Sequence, residues 1–375
     1  MLNPANDIRL NSEKAITATG PCFIIAEIGQ NHQGNFNMAK KLIRIAKDCG
    51  ADCVKFQKSC LPSKFNRRAL RRPYPGPNSW GDTYGAHKKY LEFSQEQFKE
   101  LQDYAEQEVG IMFSASAMDE DSVVMLDHLG VPFIKVGSGD NCNLPLLQRA
   151  ASTGRPLLVS TGMMNLRDLR KLHEHLTRMR ARFALLHCVS SYPAPLEQLN
   201  LRVIPELRRI FPDTHIGYSG HELGVEASVA AVAAGARIVE RHLTLDKTMK
   251  GTDHCCSLEP LELGRMVRSI RLVEAALGRP LKEVQPCEAT CWLKLGKCLV
   301  AARDLSKGHT LAAEDLCVKV ADPMGIPSNR FMDVIGKVMR NDRSFDDAIL
   351  PEDLGMVSQG GDDADDPDPD PEPDD

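Results

Sequence analysis

A (β/α)8 barrel followed by a small domain of short strands and turns is the α/β fold that these 375 residues predict. Three observations predict it. Short apolar, β-branched runs recur eight times along the chain, and each is followed by a helix-like stretch. The eight units take up about 255 residues, the span of one such barrel. The alternation then stops at Gly278-Arg279-Pro280. A doubly wound sheet would share the alternation, but no G-x-G-x-x-G follows the first run.

The runs occupy 22–26, 53–56, 111–114, 133–136, 157–160, 183–187, 214–217 and 237–241. Helices are expected near 36–49, 94–109, 119–129, 144–153, 165–180, 196–211, 224–235 and 260–277. Ser94 ahead of Q-E-Q-F and Asn165 ahead of L-R-D-L are helix-start signals, because their side chains accept the free amides of a first turn. The second connection, 58–93, is rich in Pro, Gly and Arg, and a loop of that length in a compact domain is usually functional. The expected organisation is a barrel over 1–278, a linker over 279–294, a small domain over 295–355 and an acidic tail over 356–375.

Composition narrows the functional classes. With 42% hydrophobic and 26% charged residues, the chain is neither collagen-like, wholly disordered nor membrane-spanning. No apolar run approaches the roughly 20 residues of a membrane helix. The polar N-terminus lacks the apolar core of a signal peptide, so the expected location is the cytoplasm. Twelve scattered cysteines without C-x-x-C spacing are expected to be free thiols. Residues 362–375 hold nine carboxylates and no cation, so the formal charge of −5 becomes about +4 without them. Such an Asp-Pro tail cannot bury a core and is expected to be disordered. The mildly basic body suits a small anionic substrate and is too weakly basic for nucleic acid.

In such barrels the chemistry sits where strands end, and these ends are polar. The first gives Glu27 and His32, the second Lys55 and Gln57, the third Ser114 and Ser116. The fourth gives Lys135 and G-S-G-D (137–140), and the fifth Ser160-Thr161-Gly162. The sixth gives His187, Ser190, Ser191 and Tyr192; the seventh Ser219 and His221; the eighth Glu240, His242 and then Asp253. Taken singly, a strand Lys is often a snorkelling edge residue and a terminal Ser or Gly is ordinary turn chemistry. Convergence of all eight on one mouth makes a site. Two lysines, several hydroxyls and glycine turns suit a phosphate or carboxylate. A Schiff-base lysine is the rival role for Lys55 or Lys135. His221 and His242, on adjacent strands without thiolates, suit Mn²⁺ or a related ion.

The motifs A-E-I-G-Q-N-H-x-G (26–34), V-K-F-Q-K (54–58), F-I-K-V-G-S-G-D (133–140), S-T-G-M (160–163), G-Y-S-G-H-E-L-G (217–224) and E-R-H-L-T-L-D-K (240–247) closely resemble those of the sialic acid synthases. The likeness runs from about residue 20 to 355 and is to the animal type. Residues 295–355 resemble the antifreeze-like (SAF) domain that ends these enzymes. The resemblance implies condensation of phosphoenolpyruvate with N-acetylmannosamine 6-phosphate, or N-acetylmannosamine, to a nine-carbon sialic acid with release of phosphate. It implies phosphoenolpyruvate on Lys55, Lys135, Ser138, Ser160, Gly162 and Ser219, with Gln57 and Ser114 assisting. It implies a divalent metal, Mn²⁺ first with Mg²⁺ or Co²⁺ as alternatives, on His221 and His242. Glu27, Asp140, Ser190, Tyr192 and Asp253 then face the sugar or metal-bound water, with Glu27 the first candidate for moving protons and Asp140 the second. The alternatives are a related phosphoenolpyruvate-dependent deoxy-sugar-acid synthase and a catalytically silent sugar-phosphate binder.

A phosphorylated acceptor needs cations at the barrel rim. The second connection carries Arg67, Arg68, Arg71, Arg72, His87, Lys88 and Lys89 around Tyr74, Trp80 and Tyr84. Arg67 and Arg71 are the expected phosphate contacts. The resemblance also implies a domain-exchanged homodimer, each terminal domain covering its partner's barrel. Bacterial members place an Arg near Ala321, and this chain has none there.

Overall fold

In the computed structural model, which describes residues 6–356, eight parallel strands close into a barrel in chain order. They are β1 (Phe23–Gly29), β2 (Cys53–Lys58), β3 (Met112–Ala117), β4 (Ile134–Val136), β5 (Leu157–Ser160), β6 (Phe183–Cys188), β7 (His215–Gly220) and β8 (Ile238–His242). Every expected run lies on one of them. Six strands run one to three residues further than their apolar runs suggest, because the lumen changes from apolar to polar along its length.

Alternate residues of each strand point into the barrel. At the floor these are Phe23, Ile25, Cys53, Phe133, Leu158, Ala184, Leu186 and Ile238, which form one buried cluster. Two residues further along, the same faces present Glu27, Lys55, Lys135, Ser160 and Glu240. Register brings them together: Glu27 lies opposite Lys55, and Ser219 opposite Glu240. The outward faces pack with the helices in the main core. A hairpin that the sequence patterning did not reveal, pairing Ile8 with Ile16 and Arg9 with Ala15, sets Ile8, Leu10 and Ile16 into the floor cluster.

The barrel's full-length helices are α1 (Phe36–Asp48), α5 (Gln95–Asp103), α6 (Glu120–Leu129), α7 (Leu144–Ser152), α8 (Leu166–Arg178), α9 (Val203–Ile210), α10 (Glu226–Ala233) and α11 (Pro260–Leu277). Ser94 and Asn165 cap α5 and α8 as their side chains suggest, accepting from the amides of Gln97 and Asp168. The second connection folds into three short helices, α2 (Leu61–Lys64), α3 (Arg67–Arg71) and α4 (Tyr84–Leu91). Asn66 and Thr83 cap the last two. Five and eight residues are too few to show helical periodicity, and Pro and Gly around them mask it. Among the described residues, no helix is long and apolar enough to cross a membrane.

The chain divides at Arg279/Pro280 into two units. In the second, β9 (Cys298–Ala301) and β10 (Leu316–Lys319) pair antiparallel over a core that includes Leu299, Leu305, Leu311, Val334 and Ile349. Two buried carboxylates organise its turns. Asp315 receives His309 Nε2 at 2.7 Å, Arg303 Nε at 2.6 Å and the Ala312 amide at 2.8 Å. Burial pushes its pKa up, but these donors outweigh burial and bring it down to about 2. Asp353 is held by Arg343 at 2.7 and 2.9 Å, by Asn341 at 3.0 Å and by the Leu350 amide at 2.8 Å. The expected linker contains a short helix, Ala289–Leu295, with none of its residues buried. All but the first residue of the expected tail, 357–375, lie outside the described residues.

Candidate active site

At the C-terminal end of the strands the lumen opens into a cavity of ≈ 840 Å³. Its deepest polar layer is a quartet of alternating charge. Glu27 Oε2 lies 2.5 Å from Lys55 Nζ, an ion pair whose angle falls outside hydrogen-bonding geometry. Lys55 also lies 3.7 Å from Glu240 Oε1, which in turn lies 3.8 Å from Lys135 Nζ. Relative exposures are 2%, 1%, 6% and 2% for Glu27, Lys55, Glu240 and Lys135. Four charges so far from bulk water persist only because they alternate. Hydroxyls complete the shell: Lys55 donates to Ser116 Oγ at 2.8 Å, Lys135 to Ser160 Oγ at 2.6 Å, and Ser219 to Glu240 at 3.4 Å.

The four groups are not equivalent. Burial, helped by the charge of Glu240 and opposed by that of Lys55, pushes Glu27 above the usual carboxylate range, which suits a group that moves protons. Glu240 goes the other way: burial presses it upward, but Lys135 and Lys55 outweigh burial and keep it ionised. Burial pulls Lys55 down, yet Glu240 and Glu27 hold its ammonium above the usual lysine range. Lys135, buried and repelled by Lys55, falls below that range.

Above the quartet the turns after β4 and β5 interlock. The Gly162 amide donates to Ser138 Oγ at 3.2 Å, and Asn141 Nδ2 spans the carbonyls of Ser160 and Gly162 at 3.2 and 2.9 Å. A Cβ on Gly162 would stand 2.2 Å from Ser190 Oγ and 2.6 Å from Ser138 Oγ, so only glycine leaves room for both hydroxyls.

His221 and His242 face each other across the mouth with ring centroids 5.6 Å apart, and the Tyr192 ring packs 4.1 Å from His221. His221 Nδ1 lies 3.0 Å from the Val189 carbonyl, which assigns the proton to Nδ1 and leaves Nε2 with its lone pair. Burial favours neutral His242, whose Nδ1 is buried without a partner, as is Glu240 Oε2. Two imidazoles side by side at the mouth, one with an orphaned buried nitrogen, fit a divalent cation. Among the described residues, no cluster of three or more His, Cys, Asp or Glu side chains forms a closed metal cage. That agrees with an open site whose other positions go to water or substrate.

Glu27, Lys55, Gln57, Lys135, Ser138 and Asp140 line this cavity, as do Ser160, Ser190, Tyr192, Ser219, His221 and His242. Five expected residues do not, the first being Gly162, whose amide holds Ser138 Oγ instead. Ser114 sits one layer deeper and donates to the Phe133 carbonyl at 2.6 Å, while Ser116 takes the position beside Lys55. Asp253 lines a separate recess that shares Gln57 with the cavity. Arg67 and Arg71 are exposed on α3 and reach neither cavity nor recess; Lys64, from the same connection, lines the cavity instead. His32 and His187 are structural: the first stacks on Phe93 at 4.1 Å, and the second lies 2.7 Å from the Leu199 carbonyl. Glu240 is the main residue that sequence reasoning left out of the site. Its signal was the period of two in E-R-H, which puts it on the same face as His242.

The NeuB family model matches residues 42–282, and the SAF domain model matches 296–357. An N-acetylneuraminate-9-phosphate synthase of Mus musculus is 53% identical over 90% of this chain and 94% of its own length. One of Homo sapiens is 54% identical over 88% and 92%. The crystal structure of N-acetylneuraminic acid (sialic acid) synthetase from Leptospira borgpetersenii serovar Hardjo-bovis superposes with a TM-score of 0.67 at 34% identity, covering 76% of this chain and 94% of that one.

Proposed function

This chain belongs to the NeuB family and ends in a SAF domain, and on that basis we propose that it condenses phosphoenolpyruvate with N-acetylmannosamine 6-phosphate. The products are N-acetylneuraminate 9-phosphate and inorganic phosphate, and one water is consumed. The observation that carries the reading is the buried quartet Glu27–Lys55–Glu240–Lys135 directly below the His221/His242 pair. It offers cations for a small carboxylate-and-phosphate substrate and a carboxyl whose pKa burial raises, next to a place for an aldehyde.

Each residue's work follows from its surroundings. Lys55 and Lys135 hold the carboxylate and phosphate of phosphoenolpyruvate, with Ser138, Ser160 and Ser219 supplying hydroxyl donors. C3 of phosphoenolpyruvate attacks the aldehyde carbon of the open-chain sugar and positive character grows at C2. Water adds at C2 and gives up one proton, which Glu27 passes to the oxygen that was the aldehyde's; the C2–O bond to phosphate then breaks as the C2 hydroxyl becomes the ketone, its proton leaving with phosphate. Tyr192, Asp140 and Ser190 line the acceptor's side of the cavity. A divalent cation, Mn²⁺ first with Mg²⁺ or Co²⁺ as alternatives, would be held by His221 and His242 and supply Lewis-acid polarisation of the aldehyde oxygen. Phosphate released only when both substrates are present is the deciding assay. Release from phosphoenolpyruvate alone, or none with any aldose acceptor, would count against the reading.

The metal assignment has a readout apart from turnover. Mn²⁺ titrated into chelator-treated protein and followed by electron paramagnetic resonance should bind one site. His221→Ala and His242→Ala should each weaken it by at least about tenfold. Unaltered Mn²⁺ binding in both variants would remove the histidines from the site.

We also propose a cytoplasmic homodimer with exchanged terminal domains. All twelve cysteines are free, which supports a reducing compartment. Exposed Leu281, Val284, Leu293 and Leu295 on the connecting stretch support a second chain as their cover. A monomeric mass in sedimentation equilibrium would end that proposal.

A further inference from the structure

A phosphorylated acceptor brings a second phosphate, and on the reading above the quartet lysines are taken by phosphoenolpyruvate. Three places near the mouth carry other cations. Arg67 and Arg71 are exposed on α3, outside cavity and recess alike. Lys64 and Arg149 line the cavity, but so do Asp119, Glu120, Asp121 and Asp140, four carboxylates that would repel a phosphate there. The third place is the recess of ≈ 90 Å³ beside Gln57, whose volume equals that of about three waters.

Two ammonium groups line this recess against one carboxylate, Asp253. Lys88 Nζ donates to the neutral Gln30 Oε1 at 2.9 Å, and Lys250 Nζ lies 4.3 Å from the centre of the Trp80 ring. Among the described residues, neither lysine has a carboxylate within ion-pair distance. His87, on the same wall, is driven towards its neutral form by burial and by the charges of Lys88 and Lys250 together. Gln57 borders both spaces, so an extended sugar can lie with its aldehyde at the histidines and its far end in the recess.

We propose that Lys88 and Lys250 form the subsite for the terminal phosphate of the acceptor sugar, with Gln57 and Asp253 bordering the carbon chain. The assignment rests on the acceptor reading above and replaces Arg67 and Arg71 as the phosphate contacts. The test is kcat/KM for N-acetylmannosamine 6-phosphate divided by kcat/KM for N-acetylmannosamine, in wild type, Lys88→Met, Lys250→Met and the double variant Arg67→Met/Arg71→Met. Each lysine variant should lower this ratio at least tenfold, mainly through KM for the phosphorylated sugar, with Lys250→Arg recovering most of it. The arginine variant should keep the wild-type ratio. A wild-type preference that survives in both lysine variants, or that collapses in the arginine variant, would overturn the subsite alone. Equal use of both sugars by the wild type would overturn the subsite and the acceptor reading together.

Discussion

Lys55→Met should lower kcat/KM for phosphoenolpyruvate by at least about 10²–10³, the range seen when one preorganised electrostatic partner is lost from a water-poor site. The loss should be larger than that of one ligand contact, because Lys55 also separates Glu27 from Glu240. Without it two buried carboxylates face each other, and one of them takes up a proton. Calorimetry should show phosphoenolpyruvate binding lost along with turnover. Lys99→Met, at an exposed lysine paired only with Asp103, should change neither. Borohydride added during turnover should trap nothing on Lys55 or Lys135. A covalent adduct on either, most readily on Lys135 with its depressed pKa, would replace the electrostatic role with a Schiff base. Undiminished phosphoenolpyruvate binding by Lys55→Met would refute the role of the quartet.

The second large effect lies outside the cavity. Arg241, between Glu240 and His242 on β8, points the other way and is 0% exposed. Its guanidinium reaches Glu222 Oε1 at 2.7 Å, Ser228 Oγ at 2.8 Å, and the carbonyls of Gly224 and Glu222 at 2.9 and 2.5 Å. Tyr218 Oη closes the network on Glu222 Oε2 at 2.6 Å. Arg241→Met strands a fully buried carboxylate and should destabilise the barrel by about 3–5 kcal/mol. Thermal denaturation should shift down by on the order of 10 °C. Glu222→Leu added to Arg241→Met should recover part of the loss, since a removed pair costs less than a broken one. A shift within 2 °C for the single variant would refute the network's weight. Because Glu222 follows His221 directly in the chain, weaker Mn²⁺ binding should accompany the shift.

The contrast between Arg241 and its neighbours shows what a sequence carries and what it withholds. Buried parallel strands read as plain apolar runs, so eight of them in a steady rhythm were visible from composition alone. Where β1, β3, β7 and β8 turn polar, the pattern looks like a strand ending, and the run was cut short at residues that in fact belong to the lumen. Glu27, Lys55 and His242 were still found, because a charge next to an apolar run is conspicuous. Ser116 was passed over for Ser114, since two serines in one alternating strand differ only in depth, and depth depends on barrel closure. Sequence alone singles out Arg67 and Arg71 as rim cations of the second connection and gives Lys250, far off in the chain, no link to that loop. Placement decided otherwise. α3 is capped by Asn66 and shows its arginines to solvent, and nothing in five residues states which way such a helix faces.

The hairpin of Ile8, Leu10 and Ile16 set into the floor makes the barrel a cul-de-sac. Everything that enters or leaves shares one doorway. On the proposed reading, the molecule held on the deep lysines must arrive before the one that rests above it. The sequence of arrivals is then a matter of depth rather than of relative affinity. Inorganic phosphate, set free at the bottom, must wait for the nine-carbon product to move aside. On that reading, both arrivals and both departures queue at the same doorway.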